Sequence, residues 1–294
     1  CFTRSPRTMR SVQNLVLLLS LSFQGQVTAE LKAPVVGIYP SLGDVANSNI
    51  TNAYYRGYRQ WLEQFGATTV LLPVNGDANG ESFSKLDALL FPGGPTKSVT
   101  PFARGLIKRA IQEGAAGKYF PIWGTCLGFE WIVEAAGGVE SLQIGAFAAT
   151  DLATELTFSK TAGHGRMWAK ANETVMRWLQ TEDITYMNHE DGIEPGHFEA
   201  NAPLAALFEV VASSLDRKGR RGVAAMQARG LPIYGVQFHP EKIRFVPGGT
   251  VFGHIPKTPE AMAAADVLAS FFVTEAKKGA AMHSRHAGTS GWAL

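Results

Sequence analysis

The chain has 294 residues, 46% of them hydrophobic and 18% charged, and its 27 basic residues against 25 acidic ones give a formal net charge of +2. That is apolar mass enough for one large or two small domains with a substantial core, and a charge balance that argues against a nucleic-acid partner. Without Arg4, Arg7 and Arg10, which fall in a segment read here as cleaved, the balance becomes 24 basic against 25 acidic residues, or −1.

Residues 1–29 read as a secretory signal peptide: arginines precede the apolar run Leu15 to Phe23, and Val27-Thr28-Ala29 offers small residues at the usual cleavage spacing. The mature chain is expected to begin near Glu30. The apolar run is too short to cross a bilayer, so no membrane span is expected in the mature form. The destination expected is the secretory pathway, ending outside the cell or in a vacuole or lysosome. Cleavage removes Cys1 and leaves Cys126 as the only cysteine, which excludes an intrachain disulfide. Two glycosylation triplets, Asn49-Ile50-Thr51 and Asn172-Glu173-Thr174, are compatible with that route.

From Glu30 the chain alternates strand and helix. Val35 to Tyr39, stopped by Pro40, is a buried strand. Thr51 to Gly66 carries Tyr54, Tyr58, Trp61, Leu62 and Phe65 at helical spacing, and one of its tyrosines reaches a pocket if the helix begins at the mouth of a sheet. Thr69 to Pro73 and Ala88 to Phe91 are the next strands, separated by a polar loop with room for one helical turn. Pro92-Gly93-Gly94-Pro95 follows, then a helix from Pro101 to Gln112, then a strand entering Pro121-Ile122-Trp123-Gly124-Thr125-Cys126-Leu127-Gly128-Phe129-Glu130.

This rhythm predicts an α/β fold with a mostly parallel central sheet and helices on both faces, with its site at the carboxyl ends of the strands. The regular rhythm breaks between Gly137 and about Ala202, an irregular stretch long enough to form a subdomain or a wall over the site, which holds His164 and His189. Leu207 to Leu215 and Gly222 to Ala228 form an antiparallel pair around the basic turn Asp216 to Arg221, read as a solvated turn. Pro232 to Phe238 is a last strand, delivering His239-Pro240-Glu241. A helix capped by Thr258 runs from Pro259 to Lys278, burying Met262, Leu268, Phe271 and Phe272, and residues 279–294 read as a disordered tail.

Gly124-Thr125-Cys126-Leu127-Gly128 has the spacing of a nucleophile elbow, in which flanking glycines let a strand and a helix approach closely around one side chain. A thiol so placed is expected to stand open to substrate. It lies at the positive end of a helix dipole, which favours thiolate over thiol. His239 is a candidate proton carrier for Cys126, with Glu241 two residues on to orient the imidazole. A backbone N–H from the double-glycine loop at Gly94, together with that of Leu127, can meet the oxygen of a carbonyl under attack. The histidines and the single mature cysteine form no metal-binding pattern.

Phe-Pro-Gly-Gly, Trp-Gly-Thr-Cys-Leu-Gly-Phe-Glu and Tyr-Gly-Val-Gln-Phe-His-Pro-Glu-Lys together resemble the class I glutamine amidotransferase-like superfamily and, within it, the γ-glutamyl hydrolase family of folate polyglutamate peptidases. The resemblance runs from about Pro34 to Lys278. It implies a three-layer αβα sandwich, flavodoxin-like with inserted segments, over residues 30–278. It implies Cys126 as nucleophile, His239 as general acid/base and Glu241 as its partner, with Gly94, Leu127, His189 and Glu130 serving the oxyanion and the substrate. The substrate implied is a small γ-glutamyl molecule, most readily a folyl poly-γ-glutamate, hydrolysed without a cofactor or metal; a homodimer is compatible with the chain. His189, after Asn188, matches a substrate-pocket histidine of the family and ranks above His164. Pro95 departs from the pattern by removing one backbone donor, and the stretch Ile243 to Pro247 lacks an acidic-aromatic pair common in the family.

Overall fold

The computed structural model describes residues 33–40, 48–95, 98–246 and 253–289. The signal segment, the start at Glu30 and the last five residues lie outside them, as do the side chains of Asn49 and Tyr54.

Eight strands form the main sheet among the described residues, in spatial order β2-β1-β3-β4-β10-β9-β8-β6. They are β1 (Val35–Ile38), β2 (Thr68–Leu71), β3 (Ala88–Phe91), β4 (Ile122–Thr125), β6 (Thr157–Phe158), β8 (Phe208–Leu215), β9 (Arg221–Ala228) and β10 (Ile233–Val236). The half from β2 to β10 is parallel, and β9, β8 and β6 continue it antiparallel. Parallel neighbours need crossovers, and α1 (Ser48–Glu63), α2 (Glu81–Ser84), α3 (Pro101–Ala115) and α4 (Leu127–Gly137) supply them.

Side chains alternate across the central strands and so seed two cores. Ala88 and Leu90 of β3 and Trp123 of β4 face one layer, while Leu89, Phe91 and Ile122 face the other. On the first face Trp61 of α1 meets Trp123 at 5.6 Å between ring centroids, and Trp123 meets Phe272 at the same distance. On the second, Leu106 and Ile107 of α3 pack with Phe129, Trp131 and Ile132 of α4. The expected aromatic stripe is therefore core at Tyr58, Trp61 and Leu62, all fully buried, while Phe65 is half-buried.

Two expectations are corrected. The stretch after Gly137 is not irregular throughout: β5 (Ala149–Thr154) and β7 (Thr185–His189) pair as a separate antiparallel two-stranded sheet, with α5 (Glu173–Thr181) between them and α6 (Pro195–Ala200) and α7 (Ala202–Leu207) beyond. Neither strand carries a long apolar run, β5 reading Ala-Thr-Asp-Leu-Ala-Thr and β7 Thr-Tyr-Met-Asn-His, and β5 bulges between Ala149 and Leu152, where Asp151 takes φ 50°. The terminal helix, which among the described residues follows the short α8 (Pro240–Phe245), runs from Pro259 to Thr289 rather than ending at Lys278. Gly279 lets it pass the start of β3: a Cβ there would lie 2.5 Å from the Asp87 carbonyl oxygen. Beyond it, His283 Nδ1 reaches Asp87 at 3.2 Å, and the small residues read as disorder-prone are good helix formers once one face is packed.

Candidate active site

β4 delivers Cys126 into the N-terminus of α4 with φ 50° and ψ −108°, a conformation that L side chains rarely adopt. The backbone around it explains both glycines. A Cβ on Gly124 would lie 2.6 Å from the Gly128 carbonyl oxygen, and one on Gly128 would lie 2.1 Å from that of Phe91. Gly128 N–H donates to Pro92 O at 3.1 Å and Cys126 N–H to Val236 O at 2.8 Å, so the elbow is bonded to the strand ends on both sides.

The thiol is 6% exposed, where the elbow pattern predicted an open one. Nor does the elbow favour thiolate. Burial first, then the negative charges of Glu130 and Glu241, push its pKa up, against the lowering effects of Lys242 and the Leu127 N–H. The helix dipole acts in the expected direction, but desolvation is larger. Asn188 of β7 closes over the sulfur, with its carbonyl oxygen 3.9 Å from Sγ.

His239 follows β10 and caps α8. Its Nδ1–H donates to Glu241 Oε1 at 2.8 Å, both side chains being 3% exposed, which leaves Nε2 as the acceptor. Gly93 lies between imidazole and thiol: a Cβ there would fall 2.4 Å from His239 Cε1 and 3.4 Å from Cys126 Cβ. The Gly93 N–H is engaged by the Tyr58 hydroxyl at 2.8 Å, which makes Tyr58 the tyrosine of α1 that reaches the site. Burial and the Glu241 charge raise the Tyr58 pKa, so the phenol stays protonated. Burial, and secondarily Lys242, lower the His239 pKa despite Glu241. Thiol and imidazole are thus both neutral before substrate arrives.

Sequence reading missed Lys242, although a charged residue one step past Glu241 in the first turn of a short helix was a signal. It is buried, and its Nζ sits 5.5 Å from the centroid of the Tyr186 ring. Lys257 secures the far end of α8 by donating from Nζ to the carbonyls of Lys242, Ile243 and Val246.

In front of the thiol lies a cleft of about 240 Å³. Gly94, Leu127 and Glu130 line one side; Thr150, His189 and Glu190 line the other. Glu130 is buried and takes the Gln237 amide on Oε1 at 2.9 Å. Four residues expected near substrate therefore share one cavity with Cys126, while His239 and Glu241 are buried beside it. His164 is elsewhere, exposed, its ring edge-on to Phe158 at 5.3 Å. Among the described residues no three His, Cys, Asp or Glu side chains gather as a metal site, and no helix is long and apolar enough to cross a membrane.

His189 Nδ1–H donates to Asp191 O at 2.7 Å, and burial lowers its pKa from 6.5 to about 4. An unfolded imidazole takes up its proton near pH 6.5 while the folded one does so only near 4, so the folded state should lose stability as pH falls through that window. Urea midpoints measured against pH should fall over it, and His189→Gln should flatten part of the slope; an unaltered slope would remove His189 as a cause.

The sequence matches the class-I glutamine amidotransferase family over residues 49–252. It is 32% identical to γ-glutamyl hydrolase of Bos taurus, covering 84% of this chain and 79% of that one. With the Homo sapiens γ-glutamyl hydrolase the identity is 31%, over 92% and 88% of the two chains. The chain belongs to the γ-glutamyl hydrolase family. Identity to γ-glutamyl hydrolase 1 of Arabidopsis thaliana is 30%, over 83% of this chain and 72% of that one.

The hydrolase-family chain also shares its fold with two solved structures. A putative GMP synthase subunit from Thermoplasma acidophilum superposes with TM-score 0.51 at 15% identity, covering 87% of this chain and 98% of that one. The glutaminase domain of Trypanosoma brucei CTPS gives 0.51 at 16%, covering 83% and 94%. These identities speak to the fold alone, and they agree with the mostly parallel sheet between helical layers.

Proposed function

We propose that this chain hydrolyses γ-glutamyl amide bonds, with folyl poly-γ-glutamates as the substrate class, through a γ-glutamyl thioester on Cys126. The observation that carries the reading is the meeting of three strand ends: β4 brings Cys126, the loop after β3 brings Gly93, and β10 brings the His239–Glu241 pair against both.

The scissile carbonyl enters the cleft over Sγ. As sulfur attacks the carbonyl carbon, the thiol proton passes to His239 Nε2, so the thiolate exists only as the C–S bond forms. The oxygen gains the negative charge, and the N–H groups of Leu127 and Gly94 are the donors assigned to it, since that of Gly93 is spent on Tyr58. His239 returns its proton to the leaving amine nitrogen as the C–N bond breaks. Water, deprotonated by the same Nε2, then cleaves the thioester and restores the thiol. Glu241 holds the Nδ1–H and the imidazolium charge. Glu130 and His189 take polar groups of the substrate.

A general base must be neutral to accept the proton, and a lowered His239 pKa keeps it neutral below the usual imidazole value. Activity therefore extends into mildly acidic pH. This supports the reading of a secreted chain acting outside the cell or in a vacuole or lysosome after losing residues 1–29.

The test is expression with the native N-terminus in a secretory host, then product analysis on a folyl polyglutamate ladder beside glutathione and glutamine. We expect the mature protein to begin near Glu30, the ladder to shorten and an acid-quenched γ-glutamyl adduct on Cys126. An intact ladder, with glutathione or glutamine consumed instead, would reject the substrate class; an adduct on any other residue would reject the mechanism.

A further inference from the structure

The turn between β8 and β9, read from the sequence as merely solvated, is bonded into the wall of the cleft. Asp216, buried at its start, accepts the N–H groups of Ala148, Lys218 and Arg220 at 2.7, 2.8 and 2.8 Å, which fixes the turn against the strand that leads to Thr150. Arg217 N–H adds a bond to Ala148 O at 3.2 Å. The guanidinium of Arg217 then reaches the backbone of β5, donating to the carbonyl oxygen of Thr150 and, at 2.6 Å, to that of Asp151. Thr150 is one of the residues that line the cleft in front of Cys126.

The cations of this turn divide into two kinds. Arg220 is committed: its Nε meets Glu194 at 2.9 Å, a terminal nitrogen meets Ala146 O at 2.9 Å, and its plane covers Phe147. Arg221 donates to Ser213 Oγ at 3.0 Å. Arg217 and Lys218 are exposed and, among the described residues, form no ion pair. A guanidinium has five N–H donors in a planar fork, and bonds to two backbone carbonyls hold this exposed group in place next to cleft-lining Thr150. Asp151, whose carbonyl oxygen Arg217 meets, turns its carboxylate to the Tyr186 hydroxyl at 2.9 Å and to His254 Nδ1 at 2.7 Å, and so does not pair with the guanidinium.

We propose that Arg217 and Lys218 form an extended subsite for the α-carboxylates of a poly-γ-glutamyl chain, so that this turn sets the preference for chain length. The inference rests on the γ-glutamyl reading above and deepens it. A γ-linked chain carries one free α-carboxylate per residue, so a longer substrate brings more negative charge past Thr150. A fork held in advance against the backbone recognises a carboxylate without first losing its own rotational freedom. Lys218, next in the turn and exposed, adds a second positive charge beside Arg217, partly offset by the Asp216 carboxylate.

The experiment compares kcat/KM for a poly-γ-glutamate hexamer and a dimer in the parent enzyme, in Arg217→Gln and in Lys218→Gln. It also measures binding of both peptides to a Cys126→Ala background carrying the same changes. We expect the hexamer-to-dimer ratio of kcat/KM to fall roughly five- to tenfold in Arg217→Gln and less in Lys218→Gln, with the parent preference weakening as salt is raised. Arg217→Lys should recover part of the ratio. If Arg217 only braces Thr150, both peptides will suffer equally and the ratio will stay at the parent value, which overturns the proposal. Should the parent hydrolyse neither peptide, the functional reading fails by itself. The binding arm still decides the subsite, because equal affinity for hexamer and dimer in the Cys126→Ala background would refute it.

Discussion

Cys126→Ser should fold like the parent and turn over γ-glutamyl substrate slower by a factor on the order of 10³ or more. The elbow is held by Gly124 and Gly128 against backbone, and by the Cys126 N–H on Val236 O, none of which depends on sulfur. What changes is the proton transfer. Burial and the charges of Glu130 and Glu241 already hold the thiol neutral, so His239 must take the proton during attack. A serine hydroxyl is far less acidic than a thiol, and the same neutral, buried imidazole cannot pull its proton at comparable cost. His239→Ala removes the acceptor and should cost about 10² to 10⁴-fold. Glu241→Ala, which loses only the Nδ1 partner and the charge facing the imidazolium, should cost less. Thermal melts unchanged beside these losses would assign them to chemistry. Near-parent turnover in Cys126→Ser would end the thioester mechanism. The buried thiol also predicts slow iodoacetamide labelling of the free protein at mildly acidic pH, faster as pH rises.

Gly128→Ala should be the most damaging single methyl in the fold. Its Cβ would sit 2.1 Å from the Phe91 carbonyl oxygen and 2.6 Å from the Phe91 carbonyl carbon. Neither atom can yield as a flexible side chain would, because Phe91 is bonded into the centre of the sheet beside Gly124. Either α4 moves off β3, breaking the Gly128 N–H bond to Pro92 O, or the strand end bends and carries Gly93 away from His239. Overpacking of side chains costs typically about 1 to 3 kcal/mol, and a clash between backbones lies at or above the top of that range. A loss of about 3 kcal/mol lowers a melting temperature by roughly 6 to 12 °C in a domain of this size. The control is Gly196→Ala in α6, where the added Cβ meets nothing within 4 Å. There the same methyl should be neutral or stabilise by up to about 1 kcal/mol through helix propensity. Equal melting temperatures for the two variants would show that the elbow is not held as described.

The strand-helix rhythm, the glycines around Cys126 and the His239-Pro240-Glu241 turn were all legible as local patterns, because each is a rule about adjacent residues. Short apolar runs make buried parallel strands, a side chain at a sharp turn needs glycine on both flanks, and proline ends a strand. From them followed the α/β class and the strand-end position of the site, whereas His189 was expected in the cleft only through the family resemblance. The charge state of the site was not legible. It depends on the burial of one sulfur atom under Asn188 of β7 and on the charges of Glu241 and Lys242 in α8, brought there from distant parts of the chain, together with that of Glu130. Desolvation is a sum over neighbours in space, whereas the helix dipole, which can be read along the chain, is the smaller effect. For the same reason Tyr58 on Gly93, the β5–β7 sheet, the last turns of the terminal helix and the anchoring of Arg217 at Thr150 were decided only by tertiary structure: each pairs groups far apart in sequence, where no local pattern marks the partner.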